Sequence, residues 1–531
     1  MHYLTELNWL TVGQGLYVLL TIIVCLRIVY DTRTTTKTLA YLLLTIFLPV
    51  VGMIVYFTVG TNLRLRSMYS KKLTSNETLA MRIDEHIVKS SREQMEQATE
   101  NVQQNSKLAR LMVRDNSSPL TGNNRVTLLL NGETKFPDLL DALQQARHHI
   151  HIEYYIYDDD RIGNAIKDIL IQKAKAGVQV RFIYDDFGSR AITKKLVPEL
   201  QTAGVQAYPF YKLTLPNFAQ RLNYRNHRKI VVIDGCTAYV GGINVSDRYI
   251  NQPHQHGRRV DSPERGRGPI GSRGRTPTNK EKQMFWRDTH LRIDGAGCYY
   301  LQHLFLCDWN FCADEPVAIE SSFFGNSLAD QPVNGESTPG EPIGTTNRPG
   351  AMVQIGASGP DSRHPGLLFD FLQAINSAEE EILLTTPYFI PGDSLLDALT
   401  VAALSGVRVK LLVPGISDSR LVNAAASSYY GDLMSVGVEI YLYQKGFVHA
   451  KTMVTDEKLA VVGTANMDYR SFDLNFEVAA FVYDTDLADQ LKQAFIDDLS
   501  YSERIDYDRW RQRSRIRRLG QKIARMVAPL L

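Results

Sequence analysis

Two short patterns in this 531-residue chain hold the side chains best suited to chemistry. His227-Arg228-Lys229 is followed, after four residues, by Asp234 and then by Gly241-Gly242-Ile243-Asn244. His449-Ala450-Lys451 is followed, after four residues, by Asp456 and then by Gly463-Thr464-Ala465-Asn466. The internal spacing is the same in both: lysine two residues after histidine, aspartate seven, glycine fourteen and asparagine seventeen. Each motif lies in an apolar, β-branched run that reads as a strand, where residues two apart share a face. His227 projects with Lys229, and His449 with Lys451.

Two lysines and two asparagines converging on one point suit an anion with several oxygens, notably a phosphodiester. Asn244 and Asn466 are the expected phosphate-binding amides, and the glycines are expected to let a ligand approach the backbone. Two histidines suit opposite sides of such a group. One attacks phosphorus; the other protonates the departing oxygen and then takes a proton from the incoming hydroxyl. The residues leave those two roles interchangeable. The lysines supply the positive charge, so neither metal nor cofactor is expected. A histidine nucleophile needs an acceptor on its other ring nitrogen. Asp288, in Phe285-Trp286-Arg287-Asp288 after the first motif, and Glu477, in Asn475-Phe476-Glu477 after the second, are assigned as those orienters. Asp234 and Asp456 are counted with the catalytic motifs, but are expected to brace the motif's own loop rather than to touch substrate. A single motif of this kind could be a buried histidine beside a solvated lysine; two with matched spacing point to an active site.

The elements that must position these residues are themselves duplicated. Ala176-Gly177-Val178-Gln179-Val180 is echoed by Ser405-Gly406-Val407-Arg408-Val409, each following a helix and entering a strand. This echo recurs at nearly the offset of the two motifs, the mark of an internal repeat. Apolar runs alternate with helical stretches from about residue 125, which predicts a mixed α/β sheet flanked by helices. The expected organisation is a first domain at 121–318, interrupted by a basic, glycine-rich surface insertion at 251–283, and a second domain at 351–505. A linker at 319–350 joins them, a polar spacer fills 63–120, and a basic amphipathic tail closes the chain at 506–531.

Leu7 to Leu26 and Leu39 to Val59 contain no charged residue, and each matches the ~20 residues that cross a bilayer as a helix. Residues 1–62 are therefore expected to form a two-helix membrane anchor rather than a cleaved signal. Basic residues flank both sides, so charge decides orientation only weakly. In the tail, Arg509 to Arg525 accumulate with no acid after Asp508, while Ile516, Leu519, Ile523 and Met526 recur at near-helical spacing. That pattern fits a helix lying on an anionic bilayer. The net charge of +2 gives no sign of a nucleic-acid partner, and five scattered cysteines give no disulfide framework or zinc site.

The paired His-x-Lys-x4-Asp motifs resemble the phospholipase D superfamily. The two apolar stretches, Thr386-Pro387-Tyr388-Phe389-Ile390-Pro391, the run Gly463 to Glu477 and the closing Pro529-Leu530-Leu531 are most similar to bacterial cardiolipin synthases. The resemblance covers nearly the whole chain. It implies two phospholipase D-like domains sharing one active site behind two transmembrane helices. The implied reaction joins two phosphatidylglycerol molecules into cardiolipin and glycerol through a phosphohistidine, with His227 as nucleophile and His449 as acid/base. It also implies a multi-pass protein of the bacterial inner membrane, its catalytic region cytoplasmic, whose partners are anionic phospholipid and the bilayer. The basic insertion at 251–283 departs from the family pattern. The alternatives are a phospholipase D that transfers to water, a nuclease of the same superfamily, which the apolar stretches disfavour, and a catalytically dead membrane scaffold, which two intact motifs disfavour.

Overall fold

The computed structural model describes residues 9–32, 35–57, 89, 91–96, 100–212, 224–251, 284–318, 320, 322–324, 350–362 and 364–527. The insertion at 252–283, nearly all of the linker at 319–350, much of the spacer at 63–120 and the terminal Pro529-Leu530-Leu531 lie outside the described residues. The chain divides into two compact units, one built on the N-terminal helices and one holding both motifs.

In the N-terminal unit, Thr11–Asp31 lies in one uninterrupted helix of mean hydropathy 2.1, long enough at about 1.5 Å per residue to cross a bilayer. The second expected span is broken. Helices Thr35–Phe47 and Pro49–Val55 are separated at Leu48, whose φ of −134° is not helical. Pro49 lacks the N–H of a continuous helix and crowds the turn before it. The bend is tight: a Cβ on Gly52 would stand 2.4 Å from Thr45 Cα, so only glycine fits there. One helix of spanning length is therefore present among the described residues, where two were expected. Val24, Ile28 and Tyr56 form the small core of this unit, and the Tyr56 hydroxyl donates to Asp31 at 2.6 Å.

The larger unit is organised by one sheet. Its strands in the first repeat are β1 (Thr121–Leu130), β2 (His149–Tyr154), β3 (Gln179–Tyr184), β4 (Gln206–Pro209), β5 (Lys229–Ile233), β6 (Thr237–Gly241), β7 (Phe285–Arg287) and β8 (Thr289–Asp294). Those of the second repeat are β9 (Ala351–Ser358), β10 (Glu381–Thr385), β11 (Phe389–Ile390), β12 (Arg408–Pro414), β13 (Glu439–Tyr443), β14 (Gly446–Val448), β15 (Thr452–Thr455), β16 (Leu459–Gly463), β17 (Met467–Asp468), β18 (Glu477–Tyr483) and β19 (Ser502–Arg504). Fifteen of them run in the order β19-β13-β12-β10-β15-β16-β18-β9-β1-β8-β6-β5-β2-β3-β4. Apart from β19 this order reads the same from either end once each strand is matched to its repeat. The antiparallel pair β1–β9, with Thr121 opposite Val353, is the centre of that symmetry. The repeats therefore share one continuous sheet.

Strands on either side of that centre, such as β2, β5, β16 and β18, are buried on both faces, as their largely apolar runs require. Ile150, Ile152 and Tyr154 of β2 pack with Ile162, Ile166 and Leu170 of helix Arg161–Lys175, while His149 and His151 turn the other way, toward Gln302 of helix Cys298–Cys312. The hairpins β5–β6 and β15–β16 turn through Asp234 (φ 52°) and Gly235 (φ 69°), and through Asp456 (φ 52°) and Glu457 (φ 57°). Positive φ at both central residues matches the twist of the flanking strands.

Candidate active site

Each catalytic motif begins on a short extended segment that pairs with a segment of the other repeat. His227 N–H donates to Phe476 O at 3.0 Å, and Phe476 N–H donates to Arg225 O at 2.9 Å. In the second repeat β14 runs parallel to β7, with Val448 opposite Arg287, and His449 N–H donates to Arg287 O at 2.7 Å. These pairings bring each histidine against the acid that follows the other motif. His227 Nδ1 lies 2.9 Å from Glu477 Oε2, and His449 Nδ1 lies 2.7 Å from Asp288 Oδ2. A carboxylate can only accept, so Nδ1 carries the proton and Nε2 is left with its lone pair. The two orienters are thus exchanged between the repeats, and neither repeat alone contains a complete histidine–acid couple.

The acids are held in turn. Glu477 receives the Thr464 hydroxyl and Asn475 Nδ2, the latter at 3.1 Å. Asp288 receives Thr289 N–H at 2.7 Å. A Cβ on Gly242 would fall 2.1 Å from Asp288 Oδ1. The glycine after the first motif therefore makes room for the orienting acid, a correction to the expectation that the motif's glycines make room for a ligand. Thr464, at the matching position of the second repeat, supplies a hydroxyl to Glu477 instead.

Lys229 Nζ donates to His227 O at 2.6 Å and Lys451 Nζ to His449 O at 2.5 Å, so each ammonium is anchored by the backbone of its own histidine. Burial pushes Lys229 down to about 7 and Lys451 down to about 8, against the pull of Glu477 and Asp288. Each lysine also lowers the other repeat's histidine. Burial, with Lys229 and Lys451 behind it, takes His227 down to about 4 despite Glu477, and burial with Lys451 takes His449 down to about 3 despite Asp288. Burial works to raise the Glu477 carboxyl, but His227, Lys229 and Thr464 outweigh it and hold it below the usual range. The result is a pair of neutral imidazoles beside two buried lysines that Glu477 and Asp288 help to keep charged, an arrangement in which an entering anion favours the protonated lysines.

The remaining expected residues separate into two groups. Asn244 is tied on both sides: Nδ2 donates to Tyr249 at 2.8 Å and Oδ1 accepts from Ile156 N at 3.2 Å. Asn466 donates through Nδ2 to Asp468 at 3.3 Å, and its Oδ1 is buried with no hydrogen-bond partner. Asp234 and Asp456 stand apart, at the far ends of β5 and β15. Asp234 accepts from the N–H groups of Arg147, His148 and His149 at 2.7–2.9 Å, and Asp456 from those of Glu379, Glu380 and Glu381 at 2.8–2.9 Å. Counting them as catalytic is corrected on this geometry: both carboxylates clamp the turns that launch β2 and β10. The sequence did not single out the aromatic wall. The Tyr155 ring packs 4.9 Å from His227, and Trp286, Phe447 and Tyr249 pack 5.6, 5.9 and 6.0 Å from His449. Trp286 sits in the Phe285-Trp286-Arg287-Asp288 signature, which was the available signal. Among the described residues, no three His, Cys, Asp or Glu side chains are placed to hold a metal ion.

Paired histidine–carboxylate couples over two buried lysines, shared by two sheet repeats, define a phospholipase D-type phosphodiester-transfer fold. A family model described as cardiolipin synthase, PLD-like domain, matches residues 139–265 and 371–499, and one described as phospholipase D-nuclease N-terminal matches residues 18–60. Cardiolipin synthase 2 of Bacillus anthracis is 39% identical over 501 residues, which cover 94% of this chain and 88% of that protein. The major cardiolipin synthase of Bacillus subtilis is 36% identical over 522 residues, covering 97% of this chain and 98% of that one. The crystal structure of phosphatidylserine synthase from Haemophilus influenzae shares the fold, with a TM-score of 0.55 and 14% identity, covering 80% of this chain and all of that one. The chain belongs to the phospholipase D-like cardiolipin synthase family.

Proposed function

We propose that the protein is a cardiolipin synthase that transfers a phosphatidyl group between two phosphatidylglycerol molecules, with His227 as nucleophile and His449 as acid/base. The observation that carries this reading is the exchange of orienting acids, which makes two motifs into one site with an imidazole on either side of a phosphodiester. In the first step His227 Nε2 bonds to phosphorus, the bond from phosphorus to the glycerol oxygen breaks, and that oxygen takes a proton from His449. In the second step the hydroxyl of another phosphatidylglycerol bonds to phosphorus, its proton passes to His449, and the phosphorus–nitrogen bond breaks. Lys229 and Lys451 hold the phosphoryl oxygens and offset their charge as it builds. Asn466 lines the same site, while Asn244 and Tyr249 support it. Family membership and the close matches to cardiolipin synthases support the substrate.

Transfer to water uses the same residues, so the acceptor depends on how far water is excluded. Both histidines are only 9% exposed, and the aromatic wall around them favours transfer to a lipid hydroxyl. The helix Thr11–Asp31 and the bent apolar segment after it anchor the protein in the bacterial inner membrane with the catalytic region in the cytoplasm. The test is direct. Detergent-purified protein given phosphatidylglycerol, with no added metal or nucleotide, yields cardiolipin and free glycerol; phosphatidic acid as the only product would overturn the synthase reading in favour of hydrolysis.

A further inference from the structure

The two motifs are matched at histidine and lysine but not two residues upstream of the histidine. There the first repeat carries Arg225 and the second carries Phe447. In an extended segment these positions share the face of the histidine and lysine. Phe447 completes an aromatic group, 5.0 Å from the Trp286 ring and 6.3 Å from the Tyr388 ring. Arg225 is only 3% exposed, yet its Nη1 and Nη2 have no hydrogen-bond partner. Its guanidinium lies 4.6 Å from the ring centre of Phe187, which is itself 38% exposed. The neighbouring carboxylate of Asp185 offsets part of its charge but accepts no hydrogen bond from it. Asp185 accepts through Oδ1 from Phe187 and Gly188 N–H at 3.0 and 2.9 Å, and through Oδ2 from Asn226 N–H at 3.3 Å. A buried guanidinium with idle donors carries a large desolvation cost that an anionic ligand would offset.

We propose that Arg225 binds the phosphodiester of the acceptor lipid, and so selects a second phosphatidylglycerol over free glycerol or water as the phosphatidyl acceptor. This rests on the phosphatidyl-transfer reading above and specifies its second substrate. The acceptor hydroxyl attacks on the line joining the two imidazoles. Both ends of that line are occupied, so the acceptor's glycerol must turn off it toward the rim, where Phe187 covers Arg225. The acceptor oxygen enters on the His449 side of phosphorus, and Arg225 stands two strand residues, about 7 Å, from His227, so the acceptor's glycerol folds back past the phosphoryl group to bring its phosphodiester to the guanidinium. The hydroxyl oxygen bonds to the phosphorus on His227, the phosphorus–nitrogen bond breaks with its electron pair returning to the ring, and the hydroxyl proton passes to His449. Arg225 takes part in none of these bonds; it places the lipid that makes them. Water and glycerol carry no phosphate and gain nothing from it.

The test gives full-length protein phosphatidylglycerol together with labelled glycerol, so that cardiolipin formation and glycerol exchange into the lipid are read in one reaction. Arg225→Met is expected to lower the ratio of cardiolipin formed to glycerol exchanged by about 10- to 100-fold, the worth of charge-assisted hydrogen bonds to one phosphate. A ratio within about twofold of the wild type would overturn the proposal. If Arg225→Met loses both reactions, Arg225→Lys decides: a ratio lowered about 3-fold or more supports the assignment, and an unchanged one overturns it. Wild-type protein that exchanges glycerol but forms no cardiolipin would overturn the synthase reading and this assignment with it, whereas an unchanged ratio in the variants overturns the assignment alone.

Discussion

His227 and His449 are neutral at pH 7, held down by burial and by the lysines beside them. That suits a nucleophile at once, but an acid must acquire its proton. A bound phosphodiester anion supplies the missing negative charge and raises every cation around it. Lys229 near 7 and Lys451 near 8 report the cost of burying an ammonium without that anion. Because binding raises their pKa, the bound site holds more protons than the free one above about pH 7, and affinity falls as pH rises. Calorimetry of a soluble phosphodiester in buffers of different ionisation enthalpy is expected to show proton uptake at about pH 8, with weaker binding at pH 9 than at pH 6.5; no uptake and flat affinity would sink this account. The orienters give a second prediction. Glu477→Gln and Asp288→Asn each remove the acceptor that fixes an imidazole tautomer, and each is expected to lower kcat roughly 10³- to 10⁴-fold with the melting temperature little changed. A loss below tenfold in either would show that the couple is not used. The histidines, lysines and acids were legible because their spacing repeats. Their pairing was not, because chain order sets each acid behind its own motif while strand pairing delivers it to the other.

At the scale of elements, the aspartate of each motif is the piece whose role the spacing left open. Asp234 and Asp456 recur at a fixed interval because each closes a hairpin and ties that hairpin to the strand beside it, through three backbone N–H groups. Losing such an acceptor leaves donors unsatisfied at about 1–3 kcal/mol each. Asp234→Ala is expected to lower stability by about 3 kcal/mol, read as a fall in melting temperature that exceeds any loss of turnover per folded molecule. A collapse of kcat in a protein of unchanged stability would return Asp234 to the catalytic set. The two turns also differ where Gly235 in the first is matched by Glu457 at φ 57° in the second. A left-handed non-glycine residue costs about 1 kcal/mol, so Glu457→Gly is expected to stabilise by about that amount in denaturant unfolding, since its exposed pair with Lys492 contributes little. The α/β alternation was legible from hydrophobic period. The broken second apolar segment was not, because composition alone satisfies a length criterion that Pro49 and Leu48 defeat locally.

Across the whole molecule, the substrate is a lipid and the site must be brought to a lipid surface. Helix Arg515–Val527 is divided by face. Gln521 and Ala524 are buried, and Arg525 stacks on Tyr429 at 4.1 Å and pairs with Asp432 at 3.2 Å, so one side docks on helix Arg420–Met434. On another side Ile516, Leu519, Ile523 and Met526, which fall within an arc of about 80°, are 55–84% exposed. Between them Arg518 and Lys522 are exposed, as is Arg517 in the first turn, and no acid on the helix opposes them. The tail expected to lie on a bilayer is a helix that docks on the protein through Gln521, Ala524 and Arg525 and keeps an apolar stripe and basic residues outward. Such a surface has the chemistry to meet anionic lipid, where each basic residue would be worth about 1 kcal/mol. Replacing Arg517, Arg518 and Lys522 together by Gln is expected to raise KM for phosphatidylglycerol in mixed micelles at least about 10-fold and to flatten its dependence on salt, with kcat preserved. The split matters, because a helix that served only to brace the fold would lower kcat and melting temperature together and leave the salt dependence as it was.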